Sequence, residues 1–294
     1  MLTLLANNPA AFVAFSVFIG LVVGSFLNVV IYRLPIMMER DWKRQCAELE
    51  SGIPETTGSR QENVFNLVWP GSRCTHCGHT IRAWENIPVL SYLFLRGKCS
   101  QCHASISIRY PAIEILTALL SGASAWHFGF TIAGLSSILL GWGLIALAFI
   151  DYDHQILPDV ITLPLLWLGL IINIENTFIP LQSAVIGVVV AYVFLWLVFQ
   201  LFKLVTGKEG MGFGDFKLFA LFGAWLGWQQ LPLTIILASA TGAIVGLFMI
   251  IIAGRDRQLP IPFGPFLCVA GWISLFWGNQ ILGRYLQLFH VSSF

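Results

Sequence analysis

Two aspartates of this 294-residue chain lie in turns at the ends of apolar segments. Asp151 opens the polar turn 151–158, and Asp215 follows the glycine-rich run 210–214. A carboxylate beside hydrocarbon is costly, so an ionisable residue at a membrane edge is by default a candidate for function. Two carboxylates that meet can share a proton and activate water, as in aspartic proteases. The sequence therefore predicts Asp151 and Asp215 as a catalytic pair.

Neighbouring charged residues have plainer interpretations. Asp159 follows Pro158 and fits the N-cap of a helix, and Asp153 fits a solvated turn. Lys217 fits a lysine whose apolar stem is buried while its ammonium reaches water.

Asp215 has alternatives of its own. It could cap the helix that it begins, whereas a dinucleotide-binding loop is disfavoured because no strand precedes its glycines. A helix N-terminus favours a carboxylate and a helix C-terminus disfavours one. If both aspartates are catalytic, Asp215 is expected to be the base and Asp151 to carry the resting proton.

Four cysteines form a second candidate site. Cys74 and Cys77 make one C-x2-C pair, and Cys99 and Cys102 make another. Two such turns can offer four thiolates to a tetrahedral Zn²⁺, and a site with four protein ligands is structural because it leaves no position for water. Two disulfides are the alternative, which a cytoplasmic location would disfavour.

The composition indicates a polytopic membrane protein. Hydrophobic residues make up 57% of the chain and charged residues 11%, with a mean hydropathy of +0.78. Soluble domains carry about 25% charged residues. Eight apolar stretches are predicted as transmembrane helices, and the fourth and sixth are short: 10–32, 111–130, 132–150, 159–174, 178–202, 215–230, 231–253 and 261–279.

The distribution of charge predicts the domains and the orientation. Residues 33–110 hold 17 of the 31 charged side chains, so we expect an all-α membrane protein with a small cytoplasmic zinc-binding domain between its first and second helices. The expected division is a first transmembrane helix at 1–32, this domain at 33–110, and a transmembrane domain at 111–294. With the N-terminus outside, 15 of the 16 Lys and Arg residues fall on the cytoplasmic side, and only Arg284 falls outside. Both aspartate turns then open on the cytoplasmic face.

Five motifs in order resemble those of the type IV prepilin leader peptidase and N-methyltransferase family, and the resemblance spans nearly the whole chain. They are Gly24 to Pro35, the cysteine region Cys74 to Cys102, Tyr110 to Glu114, Asp151-x6-Pro158-Asp159, and Gly212-x-Gly214-Asp215-x-Lys217.

The resemblance implies an aspartic endopeptidase of the bacterial inner membrane. It would cut the basic leader of type IV prepilins, or of type II secretion pseudopilins, after a glycine at the cytoplasmic face. It would then methylate the new N-terminus with S-adenosylmethionine. The implied catalytic residues are Asp151 and Asp215. The implied partners of the protein are its prepilin or pseudopilin substrates and the lipid bilayer, with no nucleic acid.

The methyl-donor site is not readable from the sequence, because no strand, glycine loop and helix signature is present. Polar residues of the first helix and the cysteine region are candidates: Asn28, Arg33, Glu85, Gly97 and Glu114. Each also has a structural interpretation, such as helix packing or a turn, and Gly20 and Gly24 are spaced as a packing face.

Two other classes of protein use similar residues. Membrane carboxylates also line ion paths, so a transporter or proton channel is the main alternative function. A membrane scaffold whose zinc domain binds a partner is a second alternative, although it leaves the glycine-rich turn at Asp215 unexplained.

Overall fold

The computed structural model describes residues 2–51, 65–251 and 261–288. These ranges fold into ten α-helices joined by turns and short 3₁₀ segments, and they contain isolated β-bridges but no longer strand. The helices are α1 (Leu2–Asn7), α2 (Pro9–Ser51), α3 (Leu90–Phe94), α4 (Arg109–Phe128), α5 (Ile132–His154), α6 (Asp159–Ile172), α7 (Leu181–Thr206), α8 (Phe213–Leu226), α9 (Leu231–Ile251) and α10 (Gly264–Leu288). The predicted all-α class is confirmed.

Each of the eight apolar stretches corresponds to one helix. Among the described residues, five helices (α2, α5, α7, α9 and α10) are long and apolar enough to cross a membrane. Helices α6 and α8 have 14 residues each, or about 21 Å, against about 30 Å of hydrocarbon. The chain is thus a multi-pass membrane protein, and a count of eight spans stays a prediction.

Several sequence predictions fall partly outside the described residues. Residues 52–64 and 252–260 lie outside the described ranges. The first gap belongs to the predicted cytoplasmic domain. The second contains the end of the seventh apolar stretch, at residue 253, and also Arg255 and Arg257, which contributed to the predicted orientation. Helix α2 does not end at residue 32, as expected for a first span, but continues through its charged half to Ser51.

The chain divides into two compact units. The N-terminal unit is Met1–Ala123 and the C-terminal unit is Ser124–Phe294. The predicted three-part division is finer than this, and it stays a prediction.

Within the N-terminal unit, two glycines bring α2 and α4 into close contact. A Cβ at Gly20 would lie 2.8 Å from the Cα of Ala118, and a Cβ at Gly24 would lie 2.7 Å from the Cα of Glu114. The glycine spacing noted in the sequence therefore serves helix packing.

The centre of the C-terminal unit is α8. All its residues from Phe216 to Leu226 are buried except Lys217, and it packs against α6, α7 and α10. A helix that is apolar on every side belongs in an interior. Its C-terminal end is fixed by Asn173, whose amide donates to the carbonyl of Ala224 at 2.9 Å. Helix α8 is thus an inner helix that holds Asp215 at its first turn.

The crossing of α7 and α8 depends on two glycines. A Cβ at Gly187 would lie 2.5 Å from the carbonyl oxygen of Gly223, and a Cβ at Gly223 would collide with the backbone of Gly187. We expect Gly223→Ala to lower the thermal unfolding temperature of the protein in detergent, at a cost of about 1–3 kcal/mol for overpacking. Gly283→Ala is the matched control, since a Cβ there meets no atom within 4 Å. Equal unfolding temperatures for the two variants would contradict this packing.

Candidate active site and metal centre

Asp151 lies in the last turn of α5 and is 6% exposed. Its Oδ2 accepts a hydrogen bond from the backbone N–H of Gly264 at 2.9 Å. Gly264 is the first residue of α10, where backbone N–H groups have no partner within the helix and favour negative charge. The glycine is needed for this approach, because a Cβ on it would lie 2.6 Å from the same carboxylate oxygen.

Asp215 lies in the first turn of α8, after a glycine turn. The N-cap is Gly212, whose carbonyl accepts from the N–H of Asp215 at 3.2 Å, so Asp215 is not the cap of the helix. A Cβ at Gly214 would lie 2.9 Å from the Cβ of Leu157. The absence of a side chain at Gly214 thus lets this turn pack against the turn that follows Asp151.

The structure brings the two aspartates to the same end of the C-terminal unit. Asp151 contacts the start of α10 through Gly264, and Gly214, directly before Asp215, packs against Leu157 in the turn that follows α5. The site is formed where α5 ends and α6, α8 and α10 begin. Three helix N-termini and two carboxylates therefore meet at one place.

An ion pair beside this site was missed by the sequence interpretation. The Nζ of Lys217 lies 2.8 Å and 2.6 Å from the two carboxylate oxygens of Asp159. Pro158 is the N-cap residue of α6 and Asp159 its first residue, so the N-cap prediction for Asp159 was wrong. Lys217 binds a carboxylate as well as reaching water, and the pair joins the beginnings of α6 and α8. Asp153 is exposed, as expected, but it lies in the last turn of helix α5 and not in the predicted polar turn.

The four predicted metal ligands lie together. The sulfur atoms of Cys74, Cys77, Cys99 and Cys102 are all within 4.8 Å of one another. The Sγ atoms are 3.8 Å apart in the pair Cys74 and Cys102, and 4.0 Å apart in the pair Cys77 and Cys99. Zn–S bonds of 2.3 Å in a tetrahedron place sulfurs about 3.8 Å apart, whereas a disulfide requires about 2.05 Å. The cluster therefore fits a metal ion and not two disulfides.

Each cysteine pair lies in the same kind of turn. The N–H of Gly78 donates to the carbonyl of Cys74 at 3.0 Å, and the N–H of His103 donates to that of Cys99 at 3.1 Å. The backbone N–H groups of Cys77 and His76 lower the pKa of the Cys74 thiol to about 6. Those of Cys102 and Gln101 likewise lower the pKa of Cys99. The backbone of these turns thus favours a thiolate at Cys74 and Cys99. At Cys102 the backbone N–H of Ala104 also lowers the pKa, but burial and the other thiols of the cluster outweigh it and raise the pKa to about 11.

Glu85 and Gly97 support the cysteine turns. A carboxylate oxygen of Glu85 accepts from the N–H of Arg82 at 2.8 Å and lies 3.2 Å from Nε2 of His79. The N–H of Arg82, followed by the hydroxyl of Ser100, lowers the pKa of Glu85 to about 2. Gly97 has a φ of +66°, which fits the turn before Cys99.

The other candidates for the methyl-donor site are buried and already bonded within the N-terminal unit. Asn28 donates to the carbonyl of Tyr110 at 3.2 Å, and Arg33 donates to the carbonyls of Asn66 and Pro70 at 2.9 Å and 2.6 Å. Glu114 accepts from the N–H of Val89 at 2.8 Å. The structure thus gives each of these three residues a hydrogen bond to the backbone of the N-terminal unit.

Comparisons with known proteins identify similar chains. The chain matches the Bacterial Peptidase A24 N-terminal domain over residues 18–128 and the Type IV leader peptidase family over residues 138–247. Its relatives include proteins named prepilin leader peptidase/N-methyltransferase. That of Stutzerimonas stutzeri is 58% identical over 96% of both chains, and that of Pseudomonas aeruginosa is 57% identical over 98% of both. That of Legionella pneumophila is 52% identical over 91% of this chain and 92% of its own.

A search of solved structures found no match. The family matches cover both the cysteine cluster and the two aspartates, and the full-length relatives share one name. This chain belongs to the type IV leader peptidase family.

Proposed function

We propose that this enzyme cleaves the leader of type IV prepilins with Asp151 and Asp215 and then methylates the new N-terminus with S-adenosylmethionine. The observation that carries the peptidase half is the packing of Gly214, directly before Asp215, against Leu157 in the turn that follows Asp151. The relatives' shared name supports both halves. The peptidase site and the cysteine cluster lie in different units of the chain.

The proposed cleavage needs no covalent intermediate. One carboxylate takes a proton from a water molecule, which attacks the scissile carbonyl, and the other carboxyl group donates its proton to the departing amine. Proton exchange between the two then restores the resting pair.

The resting proton belongs to the pair in this proposal. From the sequence alone, Asp151 was expected to carry the resting proton, because it lies at the end of a helix. The structure adds the N-terminus of α10, whose first N–H donates to the same carboxylate. Asp151 and Asp215 thus both meet helix N-termini, so the helix-dipole argument no longer separates their roles.

The proposed location is the cytoplasmic face of the bacterial inner membrane. The excess of Lys and Arg predicted on that side supports the orientation, and five apolar helices support insertion into a lipid bilayer. Pseudopilins of type II secretion, which share the basic leader and apolar helix, are proposed as further substrates.

The proposed metal is zinc, held by the four cysteines in a structural role. Bound there, it would supply folding energy to a segment with a small core. The N-terminal unit is proposed to support methyl transfer, in keeping with the second activity in the relatives' name.

We expect Gly264 to act as a positioning residue for cleavage, because its N–H donates to Asp151. A methyl group added by Gly264→Ala would meet the Asp151 carboxylate at 2.6 Å and displace it from the N–H of residue 264. We expect kcat for a prepilin peptide to fall about 100-fold, as for a misplacement of about 1 Å in an active site. Cleavage in lipid nanodiscs, measured by mass spectrometry of the leader, tests this.

Gly283→Ala in the same helix is the control and should cleave at the wild-type rate, since its methyl group meets no neighbour. Methylation of a pre-cut substrate by Gly264→Ala should be retained, which excludes general misfolding. A normal kcat in Gly264→Ala would show that the N–H of residue 264 does not position Asp151.

A further inference from the structure

Helix α3 carries apolar side chains that the described protein leaves uncovered. Leu90, Leu93 and Phe94 are 52%, 64% and 82% exposed. Three such side chains within a five-residue helix form a contiguous apolar surface. Surfaces of this kind contact a partner or a lipid.

A hydrogen bond fixes the depth of α3 along α2. The N–H of Val89, directly before α3, donates to Oε2 of Glu114 at 2.8 Å. Glu114 contacts α2 at Gly24, where a Cβ would lie 2.7 Å from its Cα. The first charged residue of α2 is Arg33, nine residues later, or about 13 Å along a helix. The start of α3 therefore lies beside the uncharged part of α2 that forms the candidate membrane span.

Basic side chains follow the apolar ones. Arg96 and Lys98 come directly after α3, and both are exposed. An apolar segment flanked by cations is typical of protein that lies in the membrane interface, with its apolar side chains among the acyl chains. The cations attract anionic headgroups, and each basic residue near the surface raises the affinity for them about fivefold.

We propose that α3 is an interfacial anchor that binds anionic phospholipid. Leu90, Leu93 and Phe94 insert into the leaflet, and Arg96 and Lys98 bind the headgroups. Burial in lipid accounts for the exposed apolar surface. The hydrogen bond between Val89 and Glu114 holds that surface beside the part of α2 that is expected to lie in the membrane. Because Cys99 follows Lys98 directly, the anchor also holds the cysteine cluster at the membrane surface. This inference does not depend on the roles of the aspartates.

Photocrosslinking to lipid tests the anchor in the full-length protein. A p-benzoylphenylalanine residue replaces Phe94 in one sample and Gln101, an exposed polar residue of the second cysteine turn, in another. Both samples are placed in nanodiscs of phosphatidylcholine and phosphatidylglycerol, illuminated, and analysed by mass spectrometry. We expect lipid adducts at position 94 and background at position 101. At low salt, the ratio of phosphatidylglycerol to phosphatidylcholine adducts at position 94 should exceed the same ratio in the bilayer by at least about fivefold, the contribution of one cation.

Two results would overturn the proposal. One is a yield of lipid adducts at position 94 no higher than at position 101. The other is crosslinking of position 94 chiefly to peptides of the protein, which would mean that protein and not lipid covers α3.

A charge variant tests the headgroup contact separately. With the probe at position 94, Arg96→Gln with Lys98→Gln should abolish the enrichment of phosphatidylglycerol while lipid adducts persist. The metal content of this variant is measured as well, because Lys98 adjoins Cys99, and it should be unchanged. Undiminished enrichment would overturn the assignment of Arg96 and Lys98 as the headgroup ligands.

Discussion

Asp151→Asn and Asp215→Asn are each expected to lower prepilin cleavage by about 10⁴-fold or more, because an amide can neither accept the proton of the attacking water nor return one to the leaving amine. Methylation of a pre-cut substrate should remain near the wild-type rate, since the cysteine cluster belongs to the other unit. Both reactions are followed by mass spectrometry in nanodiscs with S-adenosylmethionine present.

Asp153→Asn is the matched control. It makes the same chemical change in the same helix, at an exposed position two residues from Asp151. It should cleave normally, and Asp159→Asn should retain most cleavage, because a partly exposed ion pair contributes only about 0.2–1 kcal/mol. Full cleavage by either Asp151→Asn or Asp215→Asn would remove that residue from the proposed pair and reopen the transporter interpretation.

Loss of the metal is expected to unfold the cysteine segment and abolish methyl transfer without abolishing cleavage. Within the described residues 65–108, Cys99 alone appears among the buried apolar side chains, so this segment has almost no core of its own. A structural zinc site contributes about 10–16 kcal/mol of apparent binding energy to folding. Cys99→Ser should therefore lose bound metal, and hydrogen exchange of 65–108 should rise while that of α5 to α10 stays low.

Cys46→Ser is the control for this experiment, because Cys46 lies on α2 outside the cluster. It should keep the metal and both activities. Retention of stoichiometric metal by Cys99→Ser would show that the four thiols do not form the proposed centre. Retention of methyl transfer after metal loss would show that the cluster does not serve that activity.

The sequence predicted the aspartates and the cysteines because their side chains carry the signal. A carboxylate beside hydrocarbon and a repeated C-x2-C are visible without a structure. Gly264 was missed because it acts through a backbone N–H on a residue 113 positions away. The pair of Asp159 and Lys217 was missed for a similar reason, since the turns that carry them approach only in the folded chain.

The helices show the same limit. All eight apolar stretches form helices, because a long uncharged run fixes the type of element. The short length of the sixth stretch was a signal that it need not cross the membrane, and the structure places α8 inside the unit. The extension of α2 to Ser51 was not predicted, because that part of the helix is charged and hydropathy gives no signal for it.

Asp151 and Asp215 are proposed to act as one catalytic unit, and cleavage by the double variant is the sharpest test of this proposal. Single-turnover cleavage is measured for Asp151→Asn, Asp215→Asn and the double variant, in nanodiscs and at equal protein concentration. Substitutions within one catalytic unit are strongly non-additive, so the double variant is expected to cleave no more slowly than either single variant. A double variant whose loss equals the product of the two single losses would contradict it, because the two aspartates would then act independently.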